Sequence, residues 1–201
     1  MSSDSKTCSV FSAVWFKCIS VLLIIALISG GLLAALNDIL FVSAEERTMR
    51  AIKKIYGEEK EYSVIRDSDA DDQPLPCAEF GTVNKVYLIG DENSENYDLL
   101  FNVTGAGGYK NGTVTLWVRV NYDEDEYQIL KTVLGGFTKQ TLMSKLGATF
   151  YDGFGGKIDE ELFTAKADEV GRKNIVSGAT YSANAAVNAV NCVIYYLGGE
   201  G

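Results

Sequence analysis

The feature that most restricts what this chain can become is an unbroken apolar run. No charged residue occurs from Cys18 to Asn37, and Ile19 to Leu36 reads ISVLLIIALISGGLLAAL. A helix needs about 20 apolar residues to cross a hydrocarbon core, so the run predicts one transmembrane helix over 18–37. A cleaved signal peptide would have a shorter apolar region, roughly 7 to 15 residues, and a small-x-small cleavage site, which Asn37 onward does not offer. Ala26, Gly30 and Ala34 recur at four-residue spacing. That spacing either provides a face on which another helix can pack closely in lipid or reflects the ordinary frequency of small residues in spanning helices.

The span leaves a tail at 1–17 and enough of the 201 residues for one ordinary domain. After the span, Ser43 and Glu46 have capping-box spacing, and Met49, Ile52 and Tyr56 fall on one helical face before Gly57. A short amphipathic helix is expected there. Glu58 to Pro76 is acidic and proline-bearing, and reads as a solvated connector, so 38–76 is taken as amphipathic helix plus linker and 77–201 as the main domain. Asp67, Asp69, Asp71 and Asp72 in the connector lack EF-hand spacing, and no metal site is expected.

The main domain alternates as a half-buried sheet does. Val114, Leu116, Val118 and Val120 share one face and Thr115, Trp117 and Arg119 the other. Leu99, Phe101 and Val103 repeat the pattern upstream, and Tyr127, Ile129 and Val133 repeat it beyond the acidic turn Asp123 to Glu126. Val83 to Ile89 supplies a fourth strand. The expected fold is α+β: a single N-terminal transmembrane helix, then one antiparallel-sheet domain with flanking helices covering one sheet face. Asp159 to Lys166 is read as a short helix, and Ala186, Val187, Val190, Ile194 and Leu197 form the apolar stripe of a final helix over 183–197.

Charge and residue types narrow the function. The net charge of -9 argues against nucleic acid as a partner. No histidine is present, so the Ser-His and Cys-His nucleophile pairs and imidazole metal sites are ruled out. The four cysteines, Cys8, Cys18, Cys77 and Cys192, form no C-x-x-C pair or metal-finger spacing. Cys77 and Cys192 fit either two thiols or, in an oxidising compartment, one disulfide. Asn102 and Asn111 head glycosylation sequons, which matter only in a eukaryotic secretory setting.

Val176-Ser177-Gly178-Ala179-Thr180-Tyr181-Ser182 stands at the mouth of the final helix. Ser and Thr are ordinary helix caps, and Gly178 permits a turn. The same helix start also offers backbone N–H groups and a positive dipole end to a phosphate. Gly105-Ala106-Gly107-Gly108-Tyr109 lies between two strands and lacks the context of a dinucleotide or P-loop motif.

The Ser-Gly-Ala-Thr run resembles the flavin-attachment motif of the FMN-binding domain family. The order of anchor, amphipathic helix, β meander and motif is similar to the G subunit of Rnf-type complexes and the related C subunit of sodium-pumping quinone reductases. The resemblance covers nearly the whole chain. It implies FMN esterified through its phosphate to Thr180 by a dedicated flavin transferase, with Ser177, Gly178, Ala179, Tyr181 and Ser182 around it. It also implies cofactor contacts from Gly108 and Tyr109, and from Thr141 and Leu142, where relatives have a Glu-Thr-Pro-Gly-Leu-Gly turn. Many relatives carry aspartate where this chain has Asn174. The implied role is an electron-transfer subunit of an ion-translocating ferredoxin:NAD oxidoreductase, partnered by other membrane redox subunits and with no catalytic site of its own. The soluble domain would lie on the extracytoplasmic face of the cell membrane. Basic residues point the other way, with Arg47, Arg50, Lys53 and Lys54 after the span against Lys6, Lys17 and the amino terminus before it. The alternatives are a stand-alone membrane-anchored extracytoplasmic flavoprotein and a non-redox binding module in which Thr180 only caps the helix.

Overall fold

A computed structural model describes residues 4–40, 42–68, 75–77, 79–90, 94, 96–158 and 179–198. The chain divides into two compact units, Met1–Arg47 and Thr48–Gly201. In the first, helix α1 runs from Asp4 to Leu40, extending beyond the apolar run at both ends. Within it Trp15–Asn37 is long and apolar enough to cross a membrane. Its large side chains face outward, Leu27 and Leu33 being 67% and 68% exposed. The hydroxyls of Ser20 and Ser29 donate back to the carbonyls of Phe16 and Ile25, both at 2.7 Å. The polar groups of the run are thereby satisfied within the helix, as a hydrocarbon surrounding demands.

Helix α2 spans Ala44–Tyr56. The Ser43 Oγ accepts the Glu46 N–H at 3.1 Å, which is the cap the spacing predicts. Gly57 ends the helix at φ 82°, its N–H bonded to the Lys53 carbonyl.

The second unit is built on strands β1 (Ser63–Asp67), β2 (Leu75–Cys77), β3 (Gly81–Ile89), β4 (Asn96–Gly105), β5 (Val114–Asp123), β6 (Glu126–Phe137) and β7 (Gly156–Lys157). Two further helices are α3 (Ala148–Asp152) and α4 (Thr180–Gly198). All pairings are antiparallel, in the order β1-β3-β4-β5-β6-β7, with β2 also lying along β3. The α+β expectation holds. The connector reading of Glu58 to Pro76 does not hold throughout, because Ser63–Asp67 within it and Leu75–Cys77 at its end pair with β3 as β1 and β2. Val64 and Ile65 of β1 are exposed, so this edge strand is held by its ladder and by the 2.8 Å Lys85–Asp67 ion pair, and leaves little hydrophobic signature.

Helices cover both sheet faces, where one was expected. Val83, Val86, Leu99, Phe101, Val103, Leu116, Val118, Val120 and Ile129 pack with α4. On the opposite face Ala51, Ile52 and Ile55 of α2 pack on Tyr87, Ile89, Leu100, Trp117 and Val133. Tyr87 completes this layer through a 3.1 Å hydrogen bond to Thr48. Val133, read as sharing a face with Ile129, lies on the other one. The register passes from Val120↔Ile129 to Arg119↔Lys131, so Leu130 is an extra residue and the bulge reverses the alternation. The acidic turn between β5 and β6 places Glu124 and Asp125 at φ 49° and 64°, the double positive φ of a type I′ hairpin.

Helix α4 begins at Thr180, three positions before the expected start. Ala183, Ala185, Ala186 and Ala189 are fully buried. Small residues at these positions let the helix lie close to the sheet. The expected helix at Asp159 to Lys166 lies outside the described residues.

Candidate functional site

Three separate stretches meet at the N-terminal end of α4. The first is the helix start. The Ala183 N–H makes an intrahelical bond to the Ala179 carbonyl at 2.9 Å, so Ala179 occupies the cap position and Thr180 is the first helical residue. Ala179 is buried, while Thr180 and Tyr181 are exposed. The N–H groups of Thr180, Tyr181 and Ser182 precede the first intrahelical bond and form the electropositive end of a 19-residue helix. Ser177 and Gly178 lie outside the described residues.

The second stretch is the glycine-rich loop between β4 and β5. A side chain at Gly105 would meet the backbone of α4, its Cβ falling 2.0 Å from the Ala185 carbonyl oxygen. Gly107 has φ +83°, and its missing Cβ would stand 3.1 Å from the amides of both Asn184 and Asn188. Asn188 Nδ2 donates to the Ala106 carbonyl at 2.9 Å. The loop is thus closed onto the first turns of α4. Tyr109 and Tyr181 meet edge to face, ring centroids 6.2 Å apart, at 41% and 64% exposure. Lys110 places its ammonium 5.3 Å from the Tyr109 ring centroid, adding a positive charge to the exposed rim.

The third stretch enters through Gln140. Its Oε1 accepts from Ser182 Oγ at 2.9 Å and from the Tyr109 N–H at 3.3 Å. A backbone N–H can only donate, which fixes the carboxamide oxygen on that side. The Nε2 faces the turn between Gly108 and Gly112, where a Cβ on either glycine would fall 2.1 Å or 2.5 Å from it. Gln140 is 6% exposed, and its Nε2 has no hydrogen-bond partner. A buried donor left open costs stability, so this amide is held in place by the two bonds to its oxygen. Thr141 and Leu142 follow directly, both exposed, and Leu142 opens the 3-10 turn Met143–Lys145.

The structure therefore brings Gly108, Tyr109, Ala179, Thr180, Tyr181 and Ser182 together. Thr141 and Leu142 are joined to that cluster through the chain at Gln140. Gln140 itself was missed as a site residue. The available signal was its place directly before Thr141, where the similar turn has glutamate. Replacing it by leucine is expected to cost about 1 to 3 kcal/mol, since the Ser182 hydroxyl and the Tyr109 N–H both lose their acceptor. Denaturant unfolding measures the loss, and faster hydrogen exchange at the Tyr109 amide locates it.

Thr180 is exposed at the N-terminus of a 19-residue helix, an end that can receive a phosphate group, and the exposed rings of Tyr109 and Tyr181 meet there. A separate cleft of about 670 Å³ opens on the α2 side, lined by residues including Tyr56, Asp98 and Arg119. There the Arg119–Asp98 ion pair (2.8 Å) and the Arg119–Tyr56 stack (4.2 Å) satisfy the charge internally. Comparison with protein-family models, curated proteins and solved structures gives no match for this chain.

Proposed function

We propose that this chain is a membrane-anchored electron-transfer subunit carrying FMN on Thr180 through a phosphoester, in an Rnf-type ion-translocating ferredoxin:NAD oxidoreductase. The observation that supports the reading is the convergence just described. Tyr109, singled out from a family resemblance, meets Tyr181 directly and Ser182 through Gln140, beside the helix start at Thr180. The helix-cap alternative is disfavoured by the same geometry, because Ala179 holds the cap position and the Thr180 hydroxyl is not needed there.

In this reading Thr180 Oγ is the point of attachment, and the N–H groups of the first turn of α4 face the phosphate. Tyr109 and Tyr181 offer apolar faces to the ring system, and Gln140 locks the loop to the helix so that these groups keep one arrangement. The chain offers no histidine to activate the Thr180 hydroxyl, which suits modification by a separate transferase. Bound FMN supplies the capacity to accept and release electrons, and the protein sets its orientation and solvent exposure. The apolar stretch of α1 anchors the subunit by a single pass, with the sheet domain on the extracytoplasmic face. Uncharged from Cys18 to Asn37, that stretch offers no ion path, so ion movement belongs to other subunits.

Intact mass and ultraviolet fluorescence of the denatured protein, purified from its native membrane, test the reading. The expected result is a covalent gain of one FMN less one water, absent in Thr180→Val. An unmodified and non-fluorescent native protein would remove the proposal.

A further inference from the structure

Cys77 closes β2 and Cys192 lies in the middle of α4, and both are buried, at 2% and 0% exposure. Their side chains belong to one core cluster, and the two free thiols are in hydrogen-bond contact with each other. The chain between them passes through β3 to β7 and α3, so the contact ties the helix that begins at Thr180 to the opposite end of the sequence-ordered sheet. Packing a helix on a sheet does not require two sulfurs to meet. Alanine serves at the neighbouring buried positions Ala185, Ala186 and Ala189.

We propose that Cys77 and Cys192 are the two halves of a disulfide that clamps α4 to β2 in the mature domain. The oxidant is a disulfide of an exported thiol-oxidising protein or a small-molecule disulfide. One external S–S bond and two chain S–H bonds are exchanged for one chain S–S bond and two external S–H bonds, and two electrons and two protons pass to the oxidant. Because both sulfurs are covered once α4 is seated, the oxidant captures one of the two before docking, and the other displaces it as the helix closes. The inference rests on the extracytoplasmic placement of the sheet domain in the proposed function, and not on the attachment at Thr180.

The test uses the full chain in its native membrane, quenched in acid, unfolded and alkylated with a mass-tagged maleimide. Two tags per chain are expected before reduction, on Cys8 and Cys18, and four after it. A non-reduced digest should contain the Cys77 and Cys192 peptides joined. Reduction of the purified protein should lower Tm by roughly 4 to 16 °C, and reductant should have no effect on Cys77→Ser/Cys192→Ser. Four tags before reduction, or a link from either cysteine to a different one, would overturn the proposal without touching the attachment at Thr180.

Discussion

Gly105→Ala should unseat α4. The added Cβ would stand 2.0 Å from the Ala185 carbonyl oxygen and 2.4 Å from the Ala189 nitrogen. Both are backbone atoms of a helix, so no side chain can rotate away, and the whole helix must lift or strand β4 must bend. Overpacking in a close-packed core costs about 1 to 3 kcal/mol, and more where backbone is the obstacle, so a loss of roughly 3 kcal/mol or greater is expected. Thermal unfolding should then begin at least ~6 °C lower. Gly136→Ala is the control, as nothing lies within 4 Å of its Cβ position, and should be close to neutral. The loop from Gly105 to Tyr109 is held against α4, so on the proposal that Thr180 carries FMN, Gly105→Ala should also slow that attachment in a way that Gly136→Ala does not.

Leu100→Ala and Phe101→Ala, at adjacent positions of β4, should both be severe. Successive side chains of a strand point to opposite faces, and both of these residues are 0% exposed. Phe101 lies among the α4-facing core residues, with Tyr196 of the helix 5.6 Å away edge to face. Leu100 lies in the α2-facing layer with Ile52 and Trp117. Truncation is expected to cost about 3 to 5 kcal/mol for Phe101 and about 2 to 5 kcal/mol for Leu100. Were the sheet covered on one face only, the Leu100 substitution would stay within about 0.5 kcal/mol. Equilibrium denaturation of the two variants distinguishes these arrangements directly.

The parts of the fold that could be read in advance were those whose side chains obey one period over several residues. Val114 to Val120 alternates because every second residue meets α4, and the apolar run of α1 announces itself by length. The errors have equally local causes. Leu130 is apolar yet is the bulged residue, so nothing in its chemistry warns that Val133 will change face. Strand β1 exposes Val64 and Ile65, and a strand that buries so little looks like a linker. Coverage of the second sheet face depends on α2 returning over Trp117, which is a tertiary event with no period of its own. At the site, Thr180 and the Gly108–Tyr109 turn were legible as a motif. Gln140 was not, because a buried amide acquires its role only when Ser182 and Tyr109 arrive at its oxygen.

The pairing β3-β4-β5-β6 follows chain order, each strand hydrogen-bonded to the next. Such a meander closes short loops first, which is the cheap and fast part of assembly, whereas α4 must find a surface already formed by strands far upstream. The cluster around Thr180 does not exist until that last docking, because Gln140, Tyr109 and Ser182 come from both sides of it. On the proposal that a transferase modifies Thr180, an enzyme that recognises the assembled end of α4 would act only on chains that have finished folding, and the proposed modification would serve as a quality check on the domain.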